Sequence, residues 1–404
     1  MQSEGAGDDR PYRSPAALAK DRAILQAAQA VLAHQGWSAV QFARVADDAG
    51  LSVQALRTRY VDRLGLAQAL WRERLAPALI EALDDLISSA SESEPDKASL
   101  RLRKALDAFA SPGEALRGAV ELMVVSTYES AVREAVAQTV ETQMSVWLTP
   151  IRSGLSRAYA ARNAYLIALA FGLVLMSYRL KGDGIDLSHE AARIAPVVAE
   201  PGSPGRMPST QADHLDERAV FATGDPAWDA LLQATLDQVG ASGFDRATVS
   251  SIAHAAGYTE GLIFSRYATK RDLFLDATAR MTEPAIRLNQ DMQERLAKRH
   301  SWGVSDAVMM REFMRPGRER VRTIVLEQYR LASHDPGVQS AVEAGVGPAQ
   351  EELMQQFGLD DPDQLAARLH VEAALGIGAP LLAAVDPDAW ELPFDVVTVP
   401  LLDR

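Results

Sequence analysis

The chain restates itself at half its length. An offset of 207 residues lays positions 24–66 on 231–273 without a gap, and ten of the 43 pairs are identical. They are Leu25/Leu232, Gln26/Gln233, Ala27/Ala234, Gly36/Gly243, Ala46/Ala253, Ala49/Ala256, Gly50/Gly257, Arg59/Arg266, Tyr60/Tyr267 and Leu66/Leu273. Trp37/Phe244, Val45/Ile252, Ser52/Thr259, Leu56/Ile263 and Arg63/Lys270 are conservative pairs between them. Chance matching in an alanine-rich chain would not select glycines and apolar positions in this way, so whatever unit the first copy builds is built twice. Further on, an offset of 206 pairs Glu121 with Glu327, Val132 with Val338 and Ala135 with Ala341.

The two copies are separated by EPGSPGRMPST at 200–210, where three prolines and two glycines interrupt any helical period. The 26 residues from 200 to 225 read as a linker. Extended they would reach about 85 Å, and as a flexible coil about 28 Å, enough to let the second half dock beside the first. Elsewhere apolar residues recur at spacings of three and four, as in 18–33, 64–87, 116–136 and 365–385, which predicts helices. Alternating β-branched residues are missing except at the extreme C-terminus, the one strand candidate. The most apolar run, 165–178, has 14 residues where a bilayer needs roughly 20, so it reads as a buried helix and not a membrane span.

Within each copy a helix ends at Gly36-Trp37 or Gly243-Phe244, a short helix ends at Ala49-Gly50 or Ala256-Gly257, and a second short helix follows. Two short helices joined by a glycine turn describe a helix-turn-helix. Phe42, Val45 and Ala46 fall on one side at helical spacing, and Ser52 is placed to cap the helix bearing Leu56 and Tyr60. Val249, Ile252, Ala253, Thr259, Ile263 and Tyr267 repeat the pattern. With these residues inward, Gln54, Arg57 and Thr58 in the first copy, and Gly261, Phe264 and Ser265 in the second, lie on the opposite side, suited to a major groove.

The segments ILQAAQAVLAHQGWSAVQFARVADDAGLSVQALRTRYVDRLGL and LLQATLDQVGASGFDRATVSSIAHAAGYTEGLIFSRYATKRDLF resemble the TetR family of transcriptional regulators. The resemblance implies an all-α chain of two tandem units: a first head at 16–66 with its helical body at 67–199, a linker at 200–224, a second head at 225–273 and its body at 274–404. It further implies an internal pseudo-dimer, monomeric or paired again, whose bodies meet through 165–178 and 365–385, where alanines and glycines permit close packing. The implied function is sequence-specific binding of operator DNA as a repressor, with release by a small-molecule effector. The alternative is a ligand-binding or protein-interaction module of the same fold without specific DNA affinity.

Carried over by position, the DNA-contacting set is Gln54, Arg57, Thr58, Arg59 and Arg63 in head one, and Thr248, Gly261, Ser265, Arg266 and Lys270 in head two. Gln41 stands where the family usually has a capping Ser or Thr, which Thr248 supplies in the second copy. Arg57 and Phe264 stand where the family usually has Tyr. From 18 to 66 six basic residues face four acidic ones, a net of +2, whereas from 225 to 273 four face six, a net of −2. The whole chain carries −13, so DNA contact requires a segregated basic face, and head one is the stronger electrostatic candidate.

Other chemistry finds little footing. With no cysteine there is neither a disulfide framework nor a thiolate site, and His189, His254 and His370 lack metal-ligand spacing, so no metal, cofactor or enzymatic activity is expected. Met123, Met144 and Trp147, with Trp302, Met309, Met310 and Met314, could line a ligand pocket but read first as packing. The N-terminal 20 residues hold no apolar segment of the secretory type, which points to the cytoplasm.

Overall fold

The computed structural model describes residues 14–92, 94–148, 154–180, 185–208, 221–345 and 361–403. Among them no strand occurs. α1 (Pro15–Gln35) starts on the Ser14 hydroxyl, which accepts from the Ala17 N–H at 3.2 Å, and ends at Gly36, whose φ of 80° suits a residue without Cβ. A single turn (Trp37–Ala39) leads to α2 (Phe42–Asp48) and α3 (Val53–Arg57). α4 (Arg63–Leu70) continues through a π turn (Trp71–Leu75) into α5 (Ala76–Ser89). The wide turn falls just before Pro77, whose missing N–H interrupts the regular ladder.

The first half then runs through α6 (Pro95–Ala110), α7 (Glu114–Ser126), α8 (Ser130–Leu148), α9 (Gly154–Met176) and α10 (Ser188–Ala199). The expected helix over 116–136 is thus two helices. The Ser126 and Thr127 hydroxyls donate to the Met123 and Val124 carbonyls, and the Arg133 guanidinium caps the Ser126 and Thr127 carbonyls at 2.9 and 2.6 Å. These side-chain bonds satisfy backbone groups that a continuing helix would use, so the chain turns without glycine or proline.

The second half repeats the opening with α11 (Pro226–Ser242), α12 (Val249–Ala256), α13 (Glu260–Phe264) and α14 (Lys270–Ala297). α15 (Trp302–Met314), α16 (Glu319–Ala332), a helix α17 over 336–345, α18 (Pro362–Val385) and α19 (Asp395–Leu402) complete it. The C-terminal β-branched run is therefore helical, not a strand. Val396, Val397 and Thr398 are buried, and α19 packs along α15, a tertiary environment that overrides local propensity.

α9 and α18 pack along one another at the centre of the molecule. A Cβ on Gly172 would lie 1.8 Å from the Ala374 carbonyl oxygen, and one on Gly378 would lie 1.7 Å from that of Ala168. Only glycine permits so close a crossing. Both helices are long and apolar enough to cross a membrane, yet their most apolar windows are 94% and 67% buried, so their apolar surface is spent on packing. The described start of the linker is docked: Gly202 N–H donates to the Val396 carbonyl at 2.8 Å and Gly205 N–H to Asp395 Oδ2 at 2.6 Å. Residues 209–220 of the linker lie outside the described residues.

Candidate nucleic-acid interface

Each helix-turn-helix is assembled by the same local devices. Gly50 (φ 64°) and Gly257 (φ 78°) make the turn between the two short helices, while Val45, Ala46 and Leu56, and Ile252, Ala253 and Ile263, are buried beneath it. The Ser52 hydroxyl accepts from the Ala55 N–H and starts α3. Thr248 opens α12 with a reciprocal cap: its hydroxyl accepts from Ser251 N–H at 3.0 Å, while Ser251 Oγ accepts from Thr248 N–H at 3.0 Å. Gln41, at the matching position before α2, makes no such cap and donates instead to the Ser38 carbonyl.

Exposure and partners divide the sequence-selected residues sharply. Gln54, Arg57 and Thr58 are exposed on α3 and its end, and among the described residues Arg57 has neither a hydrogen bond nor an ion pair. The Thr58 hydroxyl donates to the Ala55 carbonyl and accepts from Arg59 Nη1 at 3.5 Å. Arg59 is spent on the fold, its Nε 2.5 Å from Asp21 Oδ1 and its Nη1 donating to the Ala55 carbonyl. Arg63 lies over the Trp37 ring at 4.1 Å and 3.8 Å from Glu129.

In head two Gly261 and Ser265 are exposed, the Ser265 hydroxyl donating to the Leu262 carbonyl. Arg266 pairs with Asp225, as its counterpart Arg59 pairs with Asp21, so the identity of these two arginines is explained by clamping the recognition helix to the first helix of the head. Lys270 Nζ donates to the Phe244 and Ala247 carbonyls at 2.7 Å each and sits 4.1 Å from the Phe244 ring centre. Burial lowers its pKa against the pull of Asp245 and Glu327. The structure thus exposes a cation absent from the sequence-selected set. Arg246, two residues before the Thr248 cap, is exposed and without a partner among the described residues. Its signal in sequence was its position beside an N-cap, where positive charge and free N–H groups coincide.

The exposed aromatics Phe264 (55%) and Tyr258 (41%) give head two an apolar outer face in place of the guanidinium that Arg57 offers in head one. Among the described residues no group of His, Cys, Asp and Glu could hold a metal ion. A cleft of about 270 Å³ opens between the docked linker and α15, lined by Val308, Arg311, Arg315 and Trp390. Met123, Met144, Trp147, Met309, Met310 and Met314 are buried in packing, and none of them lines this cleft.

Outward second helices on two glycine-turned helix pairs define a helix-turn-helix protein of the DNA-binding class. Residues 231–277 match the family model for bacterial regulatory proteins of the tetR family, so the second helix-turn-helix is similar to the DNA-binding head of those regulators. No curated protein matches the chain. The matched segment is the second copy, which contains the Thr248 cap, the Gly257 turn and Lys270 at the start of α14.

Proposed function

We propose that the chain is a tandem regulator, a repressor in which two covalently joined TetR-like heads read the two halves of one operator. The observation that carries this reading is Arg57, exposed and, among the described residues, without a partner on a recognition helix whose sister in the other half lies within the matched family segment. The close crossing of α9 on α18 supports an internal pseudo-dimer: Gly172 meets Ala374 and Gly378 meets Ala168, and each pair of like residues is separated by 206 positions. Residue i against j′ and j against i′ is the signature of an isologous contact. On this reading the heads span 16–66 and 225–273, the bodies 67–199 and 274–404, and DNA as partner places the protein in the cytoplasm.

The operator is then asymmetric. Arg57 favours a guanine edge, whereas Phe264 offers apolar contact to a thymine methyl. The cleft beside Trp390 is where a small effector would bind and shift the bodies. Selecting bound fragments from a genomic library, with and without candidate small molecules, tests the reading. A salt-sensitive, non-palindromic footprint is the expected result, and a symmetric consensus contradicts it. A second reading is favoured by the exposed Phe264 and by the engagement of Arg266 and Lys270 within the fold, namely that head two keeps the fold for interaction while head one alone supplies specific affinity.

A further inference from the structure

Arg330 on α16 is 2% exposed and uses three nitrogens on three carboxylates. Its Nε and Nη2 donate to the two oxygens of Glu327 at 2.6 and 3.0 Å, its Nη1 to Glu121 Oε1 at 2.9 Å, and its Nη2 also to Asp245 Oδ2 at 3.0 Å. The two glutamates are the pair related by 206 residues, and each performs the same task in its own half. Glu121 Oε1 accepts from the Trp37 N–H at 2.8 Å, and Glu327 Oε2 from the Phe244 N–H at 2.7 Å. These N–H groups belong to the aromatic residues that leave the first helix of each head. A continuous polar path therefore runs from Trp37 through Glu121, Arg330 and Glu327 to Phe244, with Asp245 as a direct second hold on head two.

The packing around this path crosses between halves. His334, which bonds Glu121 Oε2 at 3.2 Å, lies where a Cβ on Gly36 of head one would meet its ring at 3.1 Å. Tyr128, its counterpart at an offset of 206, lies where a Cβ on Gly243 of head two would meet its ring at 2.3 Å. Each half thus braces the head of the other. Lys270 stands beside the acids, so three carboxylates are met by Arg330, Lys270 and the imidazole of His334. A guanidinium is suited to the central place because its planar fork directs several bonds at once, which a lysine ammonium cannot do in fixed directions.

We propose that Arg330 is the positioning residue that sets the separation of the two recognition helices and, through it, the half-site spacing the protein accepts. The second clause rests on the reading of both heads as DNA readers, and the first does not. Adding one base pair between half-sites moves one of them by about 3.4 Å and rotates it by about 35°, so a rigid brace between heads translates directly into spacing preference.

The chain has no cysteine, which makes site-specific labelling clean. Nitroxides on Val61→Cys and Ala268→Cys, exposed and equivalent positions just beyond the two recognition helices, report the head separation by double electron–electron resonance in the free protein. The parent is expected to give one narrow distance distribution, and Arg330→Lys a broad or displaced one at unchanged helix content. Asp245→Ser, at a partly exposed site and matching Ser38 of head one, gives the intermediate case and carries the comparison should Arg330→Lys not fold. In binding to operators differing by one or two inserted or deleted base pairs, the parent should prefer one spacing by about tenfold or more, and the variants should accept several within about threefold. Distributions that superimpose for parent and folded variants overturn the proposal. If the parent binds no DNA, the reading of the heads as DNA readers and the spacing clause both fall, while the distances still decide whether Arg330 sets head separation.

Discussion

Gly172 and Ala374 meet backbone to backbone, so closely that a methyl group on Gly172 would fall 1.8 Å from the Ala374 carbonyl oxygen. Gly378 and Ala168 make the corresponding contact at 1.7 Å, and the crossing of α9 on α18 hinges on these two points. Gly172→Ala and Gly378→Ala should each force the helices apart and cost about 1 to 3 kcal/mol. Gly376, on the same helix but facing open space, is the control, and Gly376→Ala should be neutral or stabilising by up to about 1 kcal/mol. Thermal melts of the three variants check this, and equal melting of Gly172→Ala and Gly376→Ala would refute the close-crossing argument.

Arg57 and Arg59 lie two residues apart and should behave oppositely. Arg57→Ala should weaken specific operator binding about 5- to 150-fold with stability unchanged, the scale for losing a bidentate guanine contact. Arg59→Ala breaks the ion pair with the mostly buried Asp21 and should lower the melting temperature of the protein first. Fluorescence anisotropy at several salt concentrations and circular dichroism on both variants separate the two effects. Parent-like DNA affinity in folded Arg57→Ala would remove head one as the dominant reader.

Among the described residues, Arg246 is the cation of head two without a partner. Arg246→Ala should reduce binding to all sequences alike and flatten the salt slope by about one unit, as one phosphate contact predicts. Lys270→Ala should instead destabilise the head, because its ammonium bridges the Phe244 and Ala247 carbonyls. The salt dependence of affinity, measured with calorimetric stability for each variant, tells the two roles apart.

Two carboxyls, Glu121 buried and Asp306 half-buried, should give the stability profile opposite slopes in pH. Burial raises the pKa of Glu121, but Arg330, His334 and the Trp37 N–H outweigh it and hold the group at about 2, below its ordinary 4.5. A depressed carboxyl contributes stability above its unfolded pKa, and about 3 kcal/mol should be lost as pH falls from about 4.5 to 2. Asp306 is pushed up to about 8 by burial and by Glu372, against the pull of Arg193. The folded state then holds the proton longer than the unfolded chain, so stability is greatest below pH 3.8 and declines as pH rises toward about 8. Because Asp306 retains partial solvent access, Asp306→Asn should raise stability at pH 8 by on the order of 2 kcal/mol. Urea unfolding from pH 2 to 9 reads both trends, and a parent-like slope in Asp306→Asn between pH 4 and 8 would exclude its part.

Local order was legible in the residues themselves. Helical spacing, the Gly36, Gly50, Gly243 and Gly257 stops, and the Ser52 and Thr248 caps specify the helix-turn-helix pairs, because periodicity, turn conformation and capping act within a few residues. The apolar runs around Tyr165 and Leu375 likewise declared buried helices. Tertiary structure decided which cations are paired within the fold. Arg59 and Arg266 read alike with Arg57 as exposed basic residues, but Asp21 and Asp225 lie 38 and 41 residues away along the chain, and only folding brings them within reach. The same holds for Arg330, whose bond to Glu121 spans 209 residues, and for the helical C-terminus, whose valines take their conformation from the α15 surface they bury against. An ion pair depends on distances of a few ångströms between remote segments, and no local pattern encodes them.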